Sequence, residues 1–221
     1  MARRNEIAWY EPFWSELGDE SILHPGHFTK LKPSIGKEVF AEFLKQNQIT
    51  GKSLDIGCGN ARHSIMLAKQ GFETHGFDIS ESAIETAKQK VKDAGLEVKL
   101  FVDSSLDFKS DVLFDVIVDA GCFHHLLPKE HEVYIDNILK ISKKGTMFYL
   151  STFSTNTGFV QGTYPKTEKI IKAEKTGLYN HFFSDKDITN LFDKQFHIHK
   201  LAEYDKILTP FVFKYAIMER K

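Results

Sequence analysis

Cysteine is scarce: Cys58 and Cys122 are the only two in 221 residues, and they form no C-x-x-C pair. That excludes a disulfide-stapled secreted domain and a zinc ribbon. It sets the expectation of a cytoplasmic protein with reduced thiols and no metal site. An excess of either charge is also lacking, since 29 Lys and Arg face 30 Asp and Glu for a net charge of −1. No overall field therefore draws the chain toward nucleic acid or an anionic membrane. No apolar run is long enough to cross a bilayer, and the basic start at residues 1–7 is not followed by the apolar stretch of a secretion signal. A chain of 221 residues fits one domain with a sizeable core.

What is present is concentrated in Ser53-Leu54-Asp55-Ile56-Gly57-Cys58-Gly59-Asn60-Ala61-Arg62-His63. A short run fit for a buried parallel strand turns on two glycines and enters an apolar-periodic segment through Ile65, Met66 and Ala68. Such a strand, turn and helix brings backbone amides and a helix N-terminus close to a small ligand with a negative group. A second strand-like run, Glu73 to Asp78, ends in an acid roughly twenty residues on, where a βαβ unit places its ribose-binding carboxylate. The ligand is expected to contain a nucleoside. Nicotinamide and flavin binders require a third glycine where this chain has Arg62, and an acid at Asp55 repels a pyrophosphate while suiting an ammonium group.

The motifs Leu54–Asn60, Gly76–Ser80, Val102–Ser105 and Phe114–His125 resemble, in order, those of class I S-adenosylmethionine-dependent methyltransferases, over roughly residues 37 to 219. The resemblance implies a doubly wound, seven-stranded, mostly parallel α/β sheet of Rossmann-like form with an antiparallel last strand. The cofactor is then S-adenosylmethionine and its product S-adenosylhomocysteine. Asp55, Gly57, Gly59 and Asn60 are expected at the methionyl end, with Asp55 ordering the loop or meeting the ammonium. Asp78 is expected at the ribose and Asp103 and Ser104 at the adenine, with Ile79, Asp119 and Gly121 as further cofactor-binding residues.

Methyl transfer from a sulfonium is an in-line displacement whose leaving group needs no protonation, so the protein supplies orientation, a dry pocket and sometimes a base. After the fourth strand the chain reads Asp119-Ala120-Gly121-Cys122, without the Asn/Asp-Pro-Pro-aromatic signature of nucleobase amine methylation or a Pro-Cys nucleophile. No nucleic acid or membrane partner is expected. The segment Gly121–Pro128 is similar instead to small-molecule methyltransferases, including thiopurine, thiol and tellurite-resistance branches. The expected acceptor is a small molecule with a thiol-like or other heteroatom. His124 and His125 are the candidate general bases, or else hold the loop by bonding backbone carbonyls. Phe123 and Phe153 are expected to line the acceptor space.

Residues 1–35 lack periodicity but hold Trp9, Tyr10 and Trp14, which read as a core cap or as a lid whose rings face the sulfonium. Residues 36–221 are expected to form the methyltransferase domain. Along it, the pattern predicts helices over Lys37–Gln48, from Ser80 to Gly95 and from Pro128 to Lys143–Gly145, and a capping box at Ser184–Asp187. Lysines at 166, 169, 172 and 175 suggest a solvated helical face. Rival functions are methylation of protein or tRNA, and cofactor binding without catalysis. The acceptor atom and oligomeric state are open at this level.

Overall fold

The computed structural model describes residue 11 and residues 35–157, 170–172, 179–205 and 212–221. The elements run α1 (Ile35–Gln46), β1 (Lys52–Ile56), α2 (Arg62–Lys69), β2 (Glu73–Asp78), α3 (Glu81–Asp93), β3 (Val98–Val102) and β4 (Phe114–Ala120). A 3-10 turn (Phe123–His125), α4 (Pro128–Lys140), β5 (Ser142–Ser154), β6 (Ile170–Lys172), β7 (Tyr179–Phe183), α5 (Asp185–Phe192), β8 (Phe196–Asp205) and β9 (Val212–Arg220) follow.

The main sheet has the order β3-β2-β1-β4-β5-β9-β8, with β9 antiparallel to both of its neighbours and the rest parallel. That is the doubly wound, seven-stranded arrangement with an antiparallel last strand. A two-stranded ribbon, β6–β7, is added to it. Strand β9 follows one edge of β5 as far as Phe153, so β7, paired with β5 at Phe153 and Ser154, takes the edge that β4 leaves after Ser151. The ribbon thus stands at the carboxyl end of β4. Lys172 lies in β6, so it is not part of a helical face there, because antiparallel pairing with Tyr179 claims its backbone. The lysines at 166, 169 and 175 fall outside the described residues.

The central strands are buried on both sides, as a parallel sheet covered by helices requires. Phe114 and Ile117 of β4, with Phe148 and Leu150 of β5, face a core closed by Tyr134, Ile135 and Ile138 of α4 and Ile188 and Phe192 of α5. Val116, Val118, Met147 and Tyr149 face the opposite core, closed by Phe40 and Leu44 of α1 and Leu67 of α2. Helix α3 buries Ile84, Ala87 and Val91 at the predicted spacing, and Ser80 caps it by accepting from the Ala83 amide at 3.1 Å. The Ser184–Asp187 capping box is present.

The structure departs from the sequence reading at the ends of helices and in one buried face, and α1 runs Ile35–Gln46 rather than Lys37–Gln48. Helix α4 ends at Lys140, and Lys143–Gly145 belong to an irregular start of β5. Lys143 pairs with Asp115 at 2.6 Å, and its amide donates to Thr146 Oγ1, which in turn bonds the Phe114 carbonyl at 2.7 Å. These contacts engage Lys143 and Thr146 with β4 instead of the helix end the cations were expected to cap. In α2 the buried face is His63, Ser64 and Leu67, while Ile65, Met66 and Ala68 are only partly buried. The reason is Asp55, described below. No helix among the described residues is long and apolar enough to cross a membrane.

Candidate functional site

Strand register sets the frame. Ile56 pairs with Phe77 on one side and Asp119 on the other, and Asp78 pairs with Val102. The Gly57 turn, Asp78, Asp103 and the loop after β4 therefore share the carboxyl edge of the sheet. The strand order reverses between β1 and β4, the place where open α/β sheets hold ligands.

The turn is built on left-handed backbone. Gly57, Gly59 and Ala61 have φ of 62°, 52° and 61°, while Cys58 and Asn60 between them do not. Such alternation gathers backbone amides into a concavity suited to an anion. A side chain at Gly57 would be strained, because its left-handed φ disfavours an L residue and a Cβ there would lie 3.0 Å from Cys122 Cβ. That distance also shows that the glycine turn touches the loop after β4. Asp55, 1% exposed, accepts from Ser64 N at 2.8 Å and Ser64 Oγ at 2.6 Å. It thereby ties the end of β1 to the first turn of α2, which is why a serine occupies the buried face of that helix. Gly76 makes room, since a Cβ there would lie 3.0 Å from Ser64 Oγ. Burial without a cationic partner in contact pushes Asp55 up to about 7.

Asp78 Oδ2 accepts from Gly59 N at 2.9 Å and Oδ1 from Ser80 N at 3.0 Å. A carboxylate offers about four acceptor positions, so two bonds leave capacity for a diol. Burial raises its pKa despite these bonds. Beside it, the Glu11 carboxylate accepts from Ser80 Oγ at 2.8 Å, from Ser82 N at 3.2 Å and from Ser82 Oγ. The Asp103 amide donates to the Asp78 carbonyl at 3.0 Å, and Asp103 Oδ1 takes the Ser104 amide at 2.7 Å, which continues the same edge across β3.

On the far side, Asp119 is fully buried and organises the loop. Its carboxylate accepts from the amides of Gly121 (3.1 Å), Cys122 (2.8 Å) and Phe123 (3.1 Å) and from Tyr134 Oη (2.7 Å). With no exposed surface and four donors, it shapes the wall rather than presenting a carboxylate to a ligand. Phe123 is likewise fully buried, stacked on Phe183 and packed on Tyr134, so it belongs to the core and not to an acceptor surface.

His124 and Phe153 do meet, with ring centroids 3.9 Å apart, and His125 lies edge-on to Phe153 at 6.3 Å. His125 is half-buried, and its Nδ1 faces the Tyr179 carbonyl of β7 at 3.1 Å. A carbonyl only accepts, so Nδ1 carries the proton and Nε2 of the neutral ring keeps a lone pair. Burial lowers the His125 pKa to about 4. Among the described residues no group of three or more His, Cys, Asp or Glu is arranged to hold a metal ion. Trp9, Tyr10 and Trp14 lie outside the described residues.

Sequence reasoning missed Ser64, Glu11 and the ribbon carbonyl of Tyr179. Only the first left a signal, a polar residue at the buried phase of an amphipathic helix. A separate polar recess of about 430 Å³, bounded in part by Asn156, Ser184, Asp185, Glu203 and Lys214, opens beyond β5 and β9.

Known proteins supply an independent view. The family described as a methyltransferase domain matches residues 54–145. An uncharacterized methyltransferase of Schizosaccharomyces pombe is 36% identical over 114 residues, covering 50% of this chain and 77% of that protein. A ubiquinone biosynthesis O-methyltransferase of Rickettsia felis is 28% identical over 151 residues, covering 68% of this chain and 60% of that protein. The chain thus spans less than two thirds of the length of that relative. In fold, the chain is similar over its whole length to a 1,6-didemethyltoxoflavin-N1-methyltransferase of Burkholderia thailandensis, crystallised with 1,6-didemethyltoxoflavin and S-adenosylhomocysteine. The TM-score is 0.74 at 14% identity, with 88% of that chain covered.

Proposed function

Because the chain belongs to the class I S-adenosylmethionine-dependent methyltransferase family, we propose that it methylates a heteroatom of a small molecule held beside the loop that follows β4. The observation that carries this reading is the contact of two walls. The glycine turn that would seat the cofactor touches Cys122, three residues from the ring that would face the acceptor, His125. The reading is supported by relatives named for O-methylation in ubiquinone biosynthesis and for N1-methylation of 1,6-didemethyltoxoflavin. The near-zero net charge gives no support to a polyanionic acceptor.

The residues fit the cofactor chemically. The left-handed turn at Gly57–Ala61 suits its carboxylate, Asp78 has acceptor capacity for the ribose hydroxyls, and Asp103 and Ser104 continue toward the adenine. When bound, S-adenosylmethionine supplies an electrophilic methyl group on a positively charged sulfur. The protein's part is orientation. Asp55 and Asp119 fix the two loops from beneath, and Phe153 packed on the His124 ring forms an aromatic wall that limits water. His125, neutral at pH 7, accepts a hydrogen bond at Nε2 from an O–H or N–H of the acceptor and takes its proton as the new bond forms. With a pKa of about 4 it is a weak base. It therefore suits an acceptor whose proton is already acidic, and a thiol would need it least. Cys58 and Cys122 form no disulfide, which fits a reducing compartment, and we assign the protein to the cytoplasm.

The test is a screen with methyl-labelled S-adenosylmethionine over phenols, N-heteroaromatics, carboxylates, amines and thiols. Labelled small product from an oxygen or nitrogen acceptor supports the proposal. Cofactor binding without transfer to any acceptor would identify a catalytically silent binding protein, and label retained only on polymer would identify a macromolecular enzyme.

A further inference from the structure

Glu11 stands alone among the described residues before Ile35. Its carboxylate receives three hydrogen bonds from the first turn of α3 and its cap: Ser80 Oγ at 2.8 Å, Ser82 N at 3.2 Å and Ser82 Oγ. These bonds hold its pKa below the usual carboxylate range, so it is charged at neutral pH. A negative group there is favoured by the helix pole, but the bonds do more than cap. Ser80 simultaneously accepts from the Ala83 amide and gives its own amide to Asp78 Oδ1 at 3.0 Å, and Asp78 Oδ2 holds Gly59 N at 2.9 Å. One continuous chain of hydrogen bonds therefore runs from Glu11 through Ser80 to Asp78 and on to the glycine turn. Glu11 and Asp78 also repel each other as like charges, so the arrangement persists because the serines separate them.

We propose that Glu11 is a positioning residue for the cofactor: by fixing Ser80 and Ser82 it sets the orientation of the Asp78 carboxylate toward the ribose hydroxyls. This rests on the reading of the crevice given above. Among the described residues Glu11 accepts from Ser80, from Ser82 and from the Glu81 backbone, and in this proposal it acts on the ligand through them. Its loss lets the Asp78–Ser82 turn rotate, and the adenosyl half of the cofactor is the part that feels it.

The experiment compares wild type, Glu11→Gln, Ser82→Ala, Asp78→Ala and Glu11→Gln/Asp78→Ala in the full chain. Calorimetry measures binding of S-adenosylhomocysteine and of 5′-methylthioadenosine, which keeps adenine and ribose but lacks the amino-acid end. Glu11→Gln is expected to weaken both ligands by a similar factor, roughly fivefold to tenfold, the net worth of about one ordinary hydrogen bond. In the Asp78→Ala background the same change should have little further effect, because the residue it positions is gone. Ser82→Ala should reproduce part of the loss. Unchanged affinity for both ligands in Glu11→Gln and Ser82→Ala overturns the proposal. So does a Glu11→Gln penalty equally large with and without Asp78. Failure of the wild type to bind either ligand would instead remove the underlying reading of the crevice, and the inference with it.

Discussion

The phenol of Tyr134 on α4 donates to Asp119 Oδ2 at 2.7 Å, and neither residue has exposed surface. This bond joins the helix that closes one core to the loop that forms the far wall of the crevice. Burial raises the pKa of both groups, which keeps Tyr134 a hydroxyl donor, while its bond and three backbone amides oppose the rise at Asp119.

Tyr134→Phe keeps the ring packing against Phe123 but leaves Asp119 with one donor fewer in a dry site. The expected cost is roughly 1–3 kcal/mol of stability, read from urea unfolding. Acceptor KM should rise more than cofactor affinity falls, because the loop and not the glycine turn is loosened. A variant as stable as wild type would show that the amides alone satisfy Asp119.

Gly57→Ala tests the contact between the two walls. The substitution forces a left-handed backbone on an L residue and brings a methyl to 3.0 Å from Cys122 Cβ. A destabilisation of roughly 1–3 kcal/mol is expected, with S-adenosylhomocysteine affinity falling at least about tenfold as the turn shifts. Trimming the neighbour with Cys122→Gly should recover the steric part of the loss but not the conformational part. Calorimetry on the single and double variants separates the two.

Much of this arrangement is legible in the chain because local rules and the global fold agree there. Ser80 reads as a helix cap, Gly57 and Gly59 as a tight turn and Phe114–Asp119 as a central strand; the cap is found, the glycines have positive φ and the strand runs Phe114–Ala120. What could not be read depends on contacts distant in sequence. Lys214 sits on a strand whose alternation predicts its spacing but not its burial. Its side chain is only 3% exposed, and the ammonium is neutralised by Asp185 and by Glu203, which lies at 2.7 Å. The β6–β7 ribbon gives no clear period because Ile170–Lys172 is three residues long and is made a strand only by its partner. Asp119 looks the same in sequence whether it faces a ligand or its own loop. Only Tyr134, fifteen residues on, distinguishes the two.

Asp55 carries a pH dependence with a definite sign. Its pKa rises from 3.8 to about 7 on folding, so between those values the folded state binds more protons than the unfolded one. The stability it contributes is fully present below about pH 4 and is lost as pH rises through 7. Asp55→Asn keeps an oxygen for the Ser64 amide and cannot ionise. It should therefore flatten the stability profile between pH 4 and 7 and be more stable than wild type at pH 8 by up to a few kcal/mol. Urea unfolding across that range is the measurement, and parallel curves for the two proteins would show that Asp55 is ionised at neutrality.

His125 has the opposite sign. Its pKa falls from 6.5 to about 4 on folding, so stability is intact above 6.5 and declines as pH falls toward 4, where the buried ring is forced to charge. His125→Asn, whose amide can still donate to the Tyr179 carbonyl, should remove that acid sensitivity while keeping the ribbon in place. Turnover of the same variant should fall about 100-fold, the lower end of what proton-transfer groups supply, with S-adenosylhomocysteine affinity unchanged. Nitrogen chemical shifts of the imidazole test the premise directly, because they should report a neutral Nδ1–H ring down to about pH 5. A ring that titrates near 6.5, or one protonated at Nε2, would mean that the bond to Tyr179 does not hold in solution. A variant with full turnover would assign His125 to scaffolding alone.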